Sequence, residues 1–200
     1  MDLTLDPRWT LPAYTGLVFA VGIVRLVELV ISQRRRAAMH TRGAAPVAEK
    51  HFLAMVLLHT GILVASIAEA WLSGRAAVPW LALPALAVLM GACLLRWWVI
   101  ATLGPHWNVR IMASLSMGVV TGGPYRFVRH PNYVAVFLEL LALPLVHGAY
   151  VTAVLGGLAH VWVLAQRIGA EDEFLLADPV YRAAMGGKPR FLPRLQRQAS

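Results

Sequence analysis

Long apolar segments alternate with short polar segments along the chain. The apolar segments cover residues 11–31, 52–72, 79–103, 132–147 and 149–166. A helix that crosses a bilayer uses roughly 20 apolar residues, so the pattern predicts about five transmembrane helices. The last two are separated only by His147 and Gly148 and are therefore expected to form a tight hairpin. The sequence predicts one all-α membrane domain over residues 1–200, with a further cytoplasmic helix near its C-terminus.

Composition supports a membrane protein. Hydrophobic residues make up 58% of the sequence and charged residues 14%, and the mean hydropathy is +0.63. Soluble domains carry about 25% charged residues. The net charge of +8 fits lipid headgroups better than nucleic acid, because the longest basic run is only residues 34–36. Cys93 is the single cysteine and excludes an intrachain disulfide, and the seven histidines show no metal-ligand spacing. Membrane lipids are the expected partners, with no nucleic acid and no metal.

The basic residues collect on one side of the predicted spans. Fourteen of the 18 lie in the loops after the first and third spans and in the C-terminal tail. They are Arg34, Arg35, Arg36, Arg42, Lys50, Arg110, Arg126, Arg129, Arg167, Arg182, Lys188, Arg190, Arg194 and Arg197. Because cytoplasmic loops are rich in Lys and Arg, the N-terminus is predicted outside and the C-terminus in the cytoplasm. We expect a protein of the bacterial inner (plasma) membrane.

The longest polar connection, residues 104–131, leads directly into the fourth predicted span. Pro131 fits the first turn of that helix, where its missing N–H has no cost. The helix start offers free N–H groups and the positive end of the helix dipole beside Arg129 and His130. This combination predicts a site for an anionic group such as a carboxylate or a phosphate.

A second polar cluster follows the fifth predicted span. Arg167 and Glu171 have i, i+4 spacing, but the basic residue comes first, which is the weaker order for a stabilising pair. This order suggests that the two side chains contact another group. A solvated helix face, or simple binding of headgroups by the arginine, is the alternative.

These two segments carry a family resemblance. The first reads Gly123-Pro124-Tyr125-Arg126 and then Arg129-His130-Pro131-Asn132-Tyr133, and the second reads Arg167-Ile168 followed by Glu171-Asp172-Glu173. Together, on either side of a hydrophobic hairpin, they resemble the C-terminal signature of the isoprenylcysteine carboxyl methyltransferase family. The resemblance covers roughly residues 103–193. It is greatest to a bacterial branch associated with type III polyketide synthases, whose members methylate alkylpyrones or alkylresorcinols.

The resemblance implies S-adenosylmethionine as the cofactor, held on the cytoplasmic side by segments 104–133 and 167–193. His130 and the free N–H groups near Pro131 would bind the carboxylate region of the cofactor. Its pocket would be walled by Tyr125 and Tyr133.

The same resemblance assigns the acidic and basic residues. Glu171, with Asp172, would bind the ammonium group or the ribose of the cofactor. Because the family often has a second Glu where this chain has Asp172, it stays open which of Glu171, Asp172 and Glu173 makes the contact. Arg129 and Arg167 would position polar or anionic groups of the substrate near the sulfonium.

Ionisable residues inside the spans suggest a base for a hydroxyl substrate. At about 1.5 Å per residue, Glu139 and His59 lie about 12 Å from the cytoplasmic side, and His160 lies about 14 Å from it. Residues at that depth are costly and by default suspected of function. We predict that Glu139, with His59 or His160, removes the proton of the acceptor. Hydrogen bonding that holds the helices together is the alternative for each.

The other charges within the spans are interpreted as structural. Arg25 and Glu28 have i, i+3 spacing and can pair on one helix face. Arg96 is expected to extend to the inner interface.

The predicted function is therefore S-adenosylmethionine-dependent O-methylation of a long-chain, lipid-like acceptor such as an alkylpyrone or alkylresorcinol. Carboxyl methylation of a prenylated cysteine and N-methylation of a phospholipid are alternatives within the same architecture. A small non-catalytic lipid-binding or transport protein is the alternative from another class. A transporter is expected to contain internal repeats, and the sequence shows none.

Overall fold

The computed structural model describes residues 5–46, 51–113 and 118–193 of the chain. It is helical apart from one short ladder, in which strands β1 (Ala45–Pro46) and β2 (Met112–Ala113) pair antiparallel. The helices are α1 (Pro7–His40), α2 (Phe52–Ser73), α3 (Pro79–Leu103), α4 (Pro131–Leu145), α5 (Tyr150–Ala177) and α6 (Pro179–Met185). Three basic residues used to predict the orientation, Lys50, Arg194 and Arg197, lie outside the described residues.

Local sequence explains where the helices begin and end. Pro79 and Pro131 occupy the first turn of α3 and α4, where a proline fits without loss of a hydrogen bond. Asp178 caps α6, since its side chain accepts a hydrogen bond from the N–H of Tyr181 at 2.7 Å. Helix α2 ends at Gly74, whose φ of 57° is left-handed and favours glycine.

The membrane character of the fold is confirmed, but the count of five spans is not. Four helices, α1, α2, α3 and α5, are long and apolar enough to cross a membrane. Helix α4 has 15 residues, which give about 22 Å against a hydrocarbon core of about 30 Å. The predicted cytoplasmic helix is largely the end of α5, which continues to Ala177 and is followed by the short α6.

At one end of the bundle, the start of α1 lies near two turns, one between α2 and α3 and one between α4 and α5. Leu5 forms an isolated bridge with Ala77, in the turn between α2 and α3. A guanidinium N–H of Arg75 donates to the carbonyl of Gly148, in the turn between α4 and α5, at 3.2 Å. Glu69 accepts hydrogen bonds from the first N–H groups of α5, including that of Thr152 at 2.7 Å. These contacts align the helices at this end.

At the opposite end, α4 begins deeper in the bundle than its neighbour α3 ends. The Arg96 side chain donates to the side-chain oxygen of Asn132 at 3.3 Å, which puts the first turn of α4 beside Arg96. Helix α3 continues for seven residues beyond Arg96 to Leu103, or about 10 Å. The connection before α4 descends beside that last turn, where Gly123 approaches Thr102 so closely that a Cβ on the glycine would clash. The start of α4 is therefore recessed.

Candidate functional site

A cluster of four charged side chains lies at the level of the membrane. Arg25 contacts Glu28 at 2.6 Å and Glu139 at 2.5 Å, and Arg96 contacts Glu28 at 2.6 Å. The two carboxylates are almost completely buried. The predicted pairing of Arg25 with Glu28 is confirmed. The prediction that Arg96 extends to the interface is wrong, because a buried carboxylate faces it and a close ion pair is more favourable than an exposed arginine beside an unpaired buried acid.

Two histidines meet near this cluster. The rings of His59 and His160 are 5.1 Å apart in an edge-to-face arrangement, and Phe137 stacks on His160. The two histidines therefore meet as the sequence predicts. Glu139 does not line the cavity that these histidines line, and both its oxygens accept hydrogen bonds from Arg25. Its predicted role as a base stays a prediction.

Beside these groups lies a cavity of about 150 Å³, which we call the membrane cavity. Its polar wall consists of Arg25, Glu28, His59, Arg96, Asn108, Asn132, His160 and Arg167, and its other lining side chains include Leu29, Val56, Leu63, Trp107, Val136 and Leu164. Leu26 and Thr60 also line it and are exposed on the lipid-facing surface. The cavity therefore reaches the lipid-facing surface of the bundle between α1 and α2.

The recessed start of α4 is held by the segment that follows α6. The backbone N–H groups of Arg129 and His130 donate to the carbonyls of Pro189 and Arg190 at 2.9 and 3.0 Å. Asp172 lies between the two segments, with His130 Nε2 and Arg190 Nε each at 2.8 Å from its carboxylate. We call this arrangement the clasp. It engages His130 and Asp172 in structural contacts.

The neighbouring acid, Glu171, faces open space instead. It lines a cavity of about 150 Å³ at this end of the bundle, together with Tyr125, Arg129 and Tyr181. We call this cavity the cytoplasmic pocket after the side that the distribution of basic residues predicts for it. Glu171 also lines a smaller cavity of about 80 Å³, the junction. The hydroxyl of Tyr133 donates a hydrogen bond to the carboxylate of Glu171. Of the three acids left open by the sequence, Glu171 is the one that lines the cavities.

The junction shares lining residues with both larger cavities. It shares Tyr125, Arg129 and Glu171 with the cytoplasmic pocket. It shares a second set of lining residues with the membrane cavity: Trp107, Asn108, Val109, Asn132, Tyr133 and Arg167. A ligand in the cytoplasmic pocket and a ligand in the membrane cavity would therefore meet at the junction.

The tyrosines of the cytoplasmic pocket keep their protons at physiological pH. Burial and the nearby Glu171 carboxylate raise the pKa of Tyr125 well above its ordinary value. The same two causes raise the pKa of Tyr181 to about 12. Both side chains therefore offer neutral hydroxyl groups.

The residues of the pocket fit S-adenosylmethionine. Glu171 supplies a carboxylate for an ammonium group. Arg129, whose Nη2 lies 3.5 Å from the Asp172 carboxylate, supplies a guanidinium for the carboxylate of a ligand. The Nε of Arg129 is buried and has no hydrogen-bond partner among the residues that the structure describes. Leu175 and Met185 add apolar surface for a planar base. The pocket thus offers groups of both charges and an apolar wall.

The structure brings most of the predicted site residues to one place. Those that line the junction are Tyr125, Arg129, His130, Tyr133, Arg167 and Glu171. Pro131 begins α4, Asp172 lies in the clasp, His59 lines the membrane cavity and Glu139 lies in the charged cluster. Sequence reasoning assigned no role to Tyr181 or Arg190. Their contacts join segments whose relative placement no local pattern shows.

Fold and site define a helical integral membrane protein in which a polar pocket meets a cavity at membrane level. A model of the isoprenylcysteine carboxyl methyltransferase (ICMT) family matches residues 84–177, from within α3 to the end of α5. The chain belongs to this family of membrane methyltransferases. Family members generally use S-adenosylmethionine.

Relatives extend the similarity over most of the chain. Uncharacterized protein YpbQ of Bacillus subtilis is 32% identical over 160 residues, which are 80% of this chain and 95% of the relative. An uncharacterized protein of Haemophilus influenzae is 28% identical over 161 residues, 80% of this chain and 93% of the relative. The cobalt-zinc-cadmium resistance protein CzcN of Cupriavidus metallidurans is 37% identical over 99 residues, 48% of this chain and 45% of the relative.

Proposed function

We propose that this protein is an S-adenosylmethionine-dependent methyltransferase that O-methylates a long-chain, lipid-like acceptor such as an alkylpyrone or alkylresorcinol. The observation that carries the proposal is the junction, which shares walls with both the cytoplasmic pocket and the membrane cavity. A charged, water-soluble methyl donor and an apolar acceptor need two different environments that meet at one point. The polar cytoplasmic pocket suits the donor, and the membrane cavity suits the acceptor.

We assign the cytoplasmic pocket and the junction to the cofactor. Arg129 would bind its carboxylate, and Glu171 would bind its ammonium group or ribose. Tyr125 and Tyr133 would wall the site, while the clasp through His130, Pro131 and Asp172 would hold the wall in place. Bound there, S-adenosylmethionine supplies an electrophilic methyl group on a sulfonium.

Alignment and exclusion of water are the main contributions of the chain. We assign Arg167, with Arg129, to orienting the polar group of the acceptor at the junction. Arg167 is fixed by a hydrogen bond of 2.9 Å that it donates to the Val109 carbonyl. A hydroxyl acceptor must also lose a proton. We assign this step to His59, which lines the membrane cavity, and assign Glu139 a supporting role through its ion pair with Arg25.

We further propose that the cofactor site faces the cytoplasm, with the N-terminus outside, in a bacterial inner membrane. Two observations support this orientation. The turn between α4 and α5 contacts the turn between α2 and α3 through Arg75 and Gly148, so α4 runs from its recessed start to the end of the bundle away from the site. The described basic residues of the tail and of the loop before α4 lie at the other end, near the site.

Binding of the methyl donor to the purified full chain tests the cofactor assignment. We expect labelled S-adenosylmethionine to bind the wild type, and Glu171→Gln to weaken binding about tenfold to a hundredfold, because a hydrogen bond to a charged group contributes roughly 1.5–3 kcal/mol. Glu173→Gln is the matched control, since Glu173 is an exposed neighbour on the same helix. A wild type that binds neither the donor nor its demethylated product contradicts the proposal and leaves a non-catalytic lipid-binding or transport protein.

A further inference from the structure

Three buried nitrogen atoms on the wall of the membrane cavity have no hydrogen-bond partner among the residues that the structure describes. They are His59 Nε2, Trp107 Nε1 and His160 Nδ1. Trp107 and His160 are each 2% exposed. A buried polar group without a partner destabilises the folded state, and such groups are rare in native proteins. Their concentration around one cavity points to a ligand that hydrogen-bonds there.

The arginines of the same cavity already have hydrogen-bond partners. Arg25 is held by Glu28 and Glu139, and Arg96 is held by Glu28 and Asn132. Arg167 donates to the carbonyl of Val109 at 2.9 Å. The remaining hydrogen-bonding capacity therefore comes largely from an indole and two imidazoles. Such groups suit an uncharged, oxygen-bearing ligand better than a carboxylate, which would have to displace an acid from its arginine.

The unpartnered nitrogens also lie at different places along the cavity. Trp107 lines both the membrane cavity and the junction, whereas His160 lines only the membrane cavity. His160 is seven residues from Arg167 on α5, or about 10 Å along the helix axis. One ligand can contact both nitrogens only if it carries oxygen atoms at two separate positions.

We propose that Trp107 and the His59–His160 pair select an acceptor whose uncharged head carries two separate oxygen functions. The indole N–H is a donor only, so Trp107 donates to one oxygen of the head. An imidazole has both a donor and an acceptor nitrogen when neutral, so His160 bonds the second oxygen as a hydroxyl, while His59 remains available to the hydroxyl that is methylated. The inference rests on the proposed function in taking the membrane cavity as the acceptor site.

Binding of two matched probes to the purified full chain tests this selection without requiring turnover. Pentadecylresorcinol has two hydroxyl groups, and pentadecylphenol has one on the same ring with the same tail. We expect the wild type to bind the resorcinol about fivefold more tightly, the value of one hydrogen bond. Trp107→Phe and His160→Phe keep an aromatic ring and remove the nitrogen, and each is expected to abolish the preference. Trp98→Phe, a change on the exposed surface of α3, is the control and should retain it.

Equal binding of both probes by the wild type overturns the inference and indicates a cavity filled by water only. An unchanged preference in both Trp107→Phe and His160→Phe also overturns it. Because the wild-type comparison stands by itself, a variant that fails to fold does not remove the test. Binding of S-adenosylmethionine to the same samples separates this failure from failure of the proposed function, which predicts cofactor binding whatever the acceptor.

Discussion

The acidic residues of the charged membrane cluster and those beside the clasp differ in the groups that their carboxylates contact. At membrane level, Glu28 and Glu139 are in close contact with arginines. At the start of α4, Asp172 is engaged by the clasp, while its neighbour Glu171 lines the pocket and the junction. The low dielectric of a membrane makes an unpaired charge very unfavourable, so the charged side chains there form ion pairs with one another. Nearer to water, a carboxylate without an arginine partner is less unfavourable and can remain available to bind a ligand.

The largest expected effect comes from breaking the membrane cluster. Glu28→Ala removes the carboxylate that contacts both Arg25 and Arg96 and leaves buried positive charge without compensation. We expect a loss of about 3–5 kcal/mol in the free energy of unfolding. Thermal unfolding in detergent measures it, with Glu173→Ala as the exposed control. Equal unfolding midpoints for the two variants would mean that the cluster does not stabilise the fold.

Glu139→Gln distinguishes support from catalysis within that cluster. Arg25 keeps Glu28 in this variant, so the loss of stability should be smaller than in Glu28→Ala, about 1–3 kcal/mol. Methyl transfer by the folded variant then decides its role. A rate close to that of the wild type fits the supporting role, whereas a loss of rate in a protein of wild-type stability would identify Glu139 as the base.

Asp172→Asn examines the other region. It removes the charge between His130 and Arg190 but keeps the size of the side chain. We expect a loss of about 1–3 kcal/mol and faster proteolytic cleavage after α6, where the chain is held against the start of α4. Cofactor affinity should fall less than in Glu171→Gln. If Asp172→Asn lowered cofactor affinity more than Glu171→Gln did, the roles assigned to these two adjacent acids would have to be exchanged.

The smallest expected effect is that of pH on the cytoplasmic pocket. Because burial and Glu171 raise the pKa of Tyr181 to about 12, its folded form keeps its proton above the ordinary tyrosine value. Its contribution to stability is therefore fully present below about pH 10 and is lost as pH rises towards 12. Ultraviolet titration of the wild type against Tyr181→Phe measures this, and ionisation of Tyr181 near pH 10 would show that the side chain is solvated.

The sequence predicts individual helices better than it predicts their relative depth. The bounds of α3 follow from an apolar run between Pro79 and Gly104 and agree with the structure. The depth of α4 does not follow from the sequence, because an apolar pattern does not show that a helix begins below the membrane interface. The depth of His59 and His160 is predicted correctly because both lie on long helices, α2 and α5, that can cross the membrane, whereas the partner of Arg96 is not predicted.

The candidate site shows the same limit. The motifs that contain Arg129 and Glu171 identify its two segments, since each brings several polar residues into a short stretch. Adjacent residues on a helix face directions about 100° apart. Which of Glu171 and Asp172 faces the pocket therefore depends on the packing of α5 against the segment after α6. Those long-range contacts have no local signature in the sequence.

Transfer of a labelled methyl group tests the central claim most directly. Membranes that contain the wild type, Glu171→Gln or Glu173→Gln are incubated with methyl-labelled S-adenosylmethionine and pentadecylresorcinol, and the extracted lipids are separated. The account predicts a labelled methyl ether with the wild type and Glu173→Gln, and at most about a tenth as much with Glu171→Gln. Label that appears only as a methyl ester or on phospholipid nitrogen would contradict O-methylation, and no label above that of membranes without the protein would contradict methyl transfer itself.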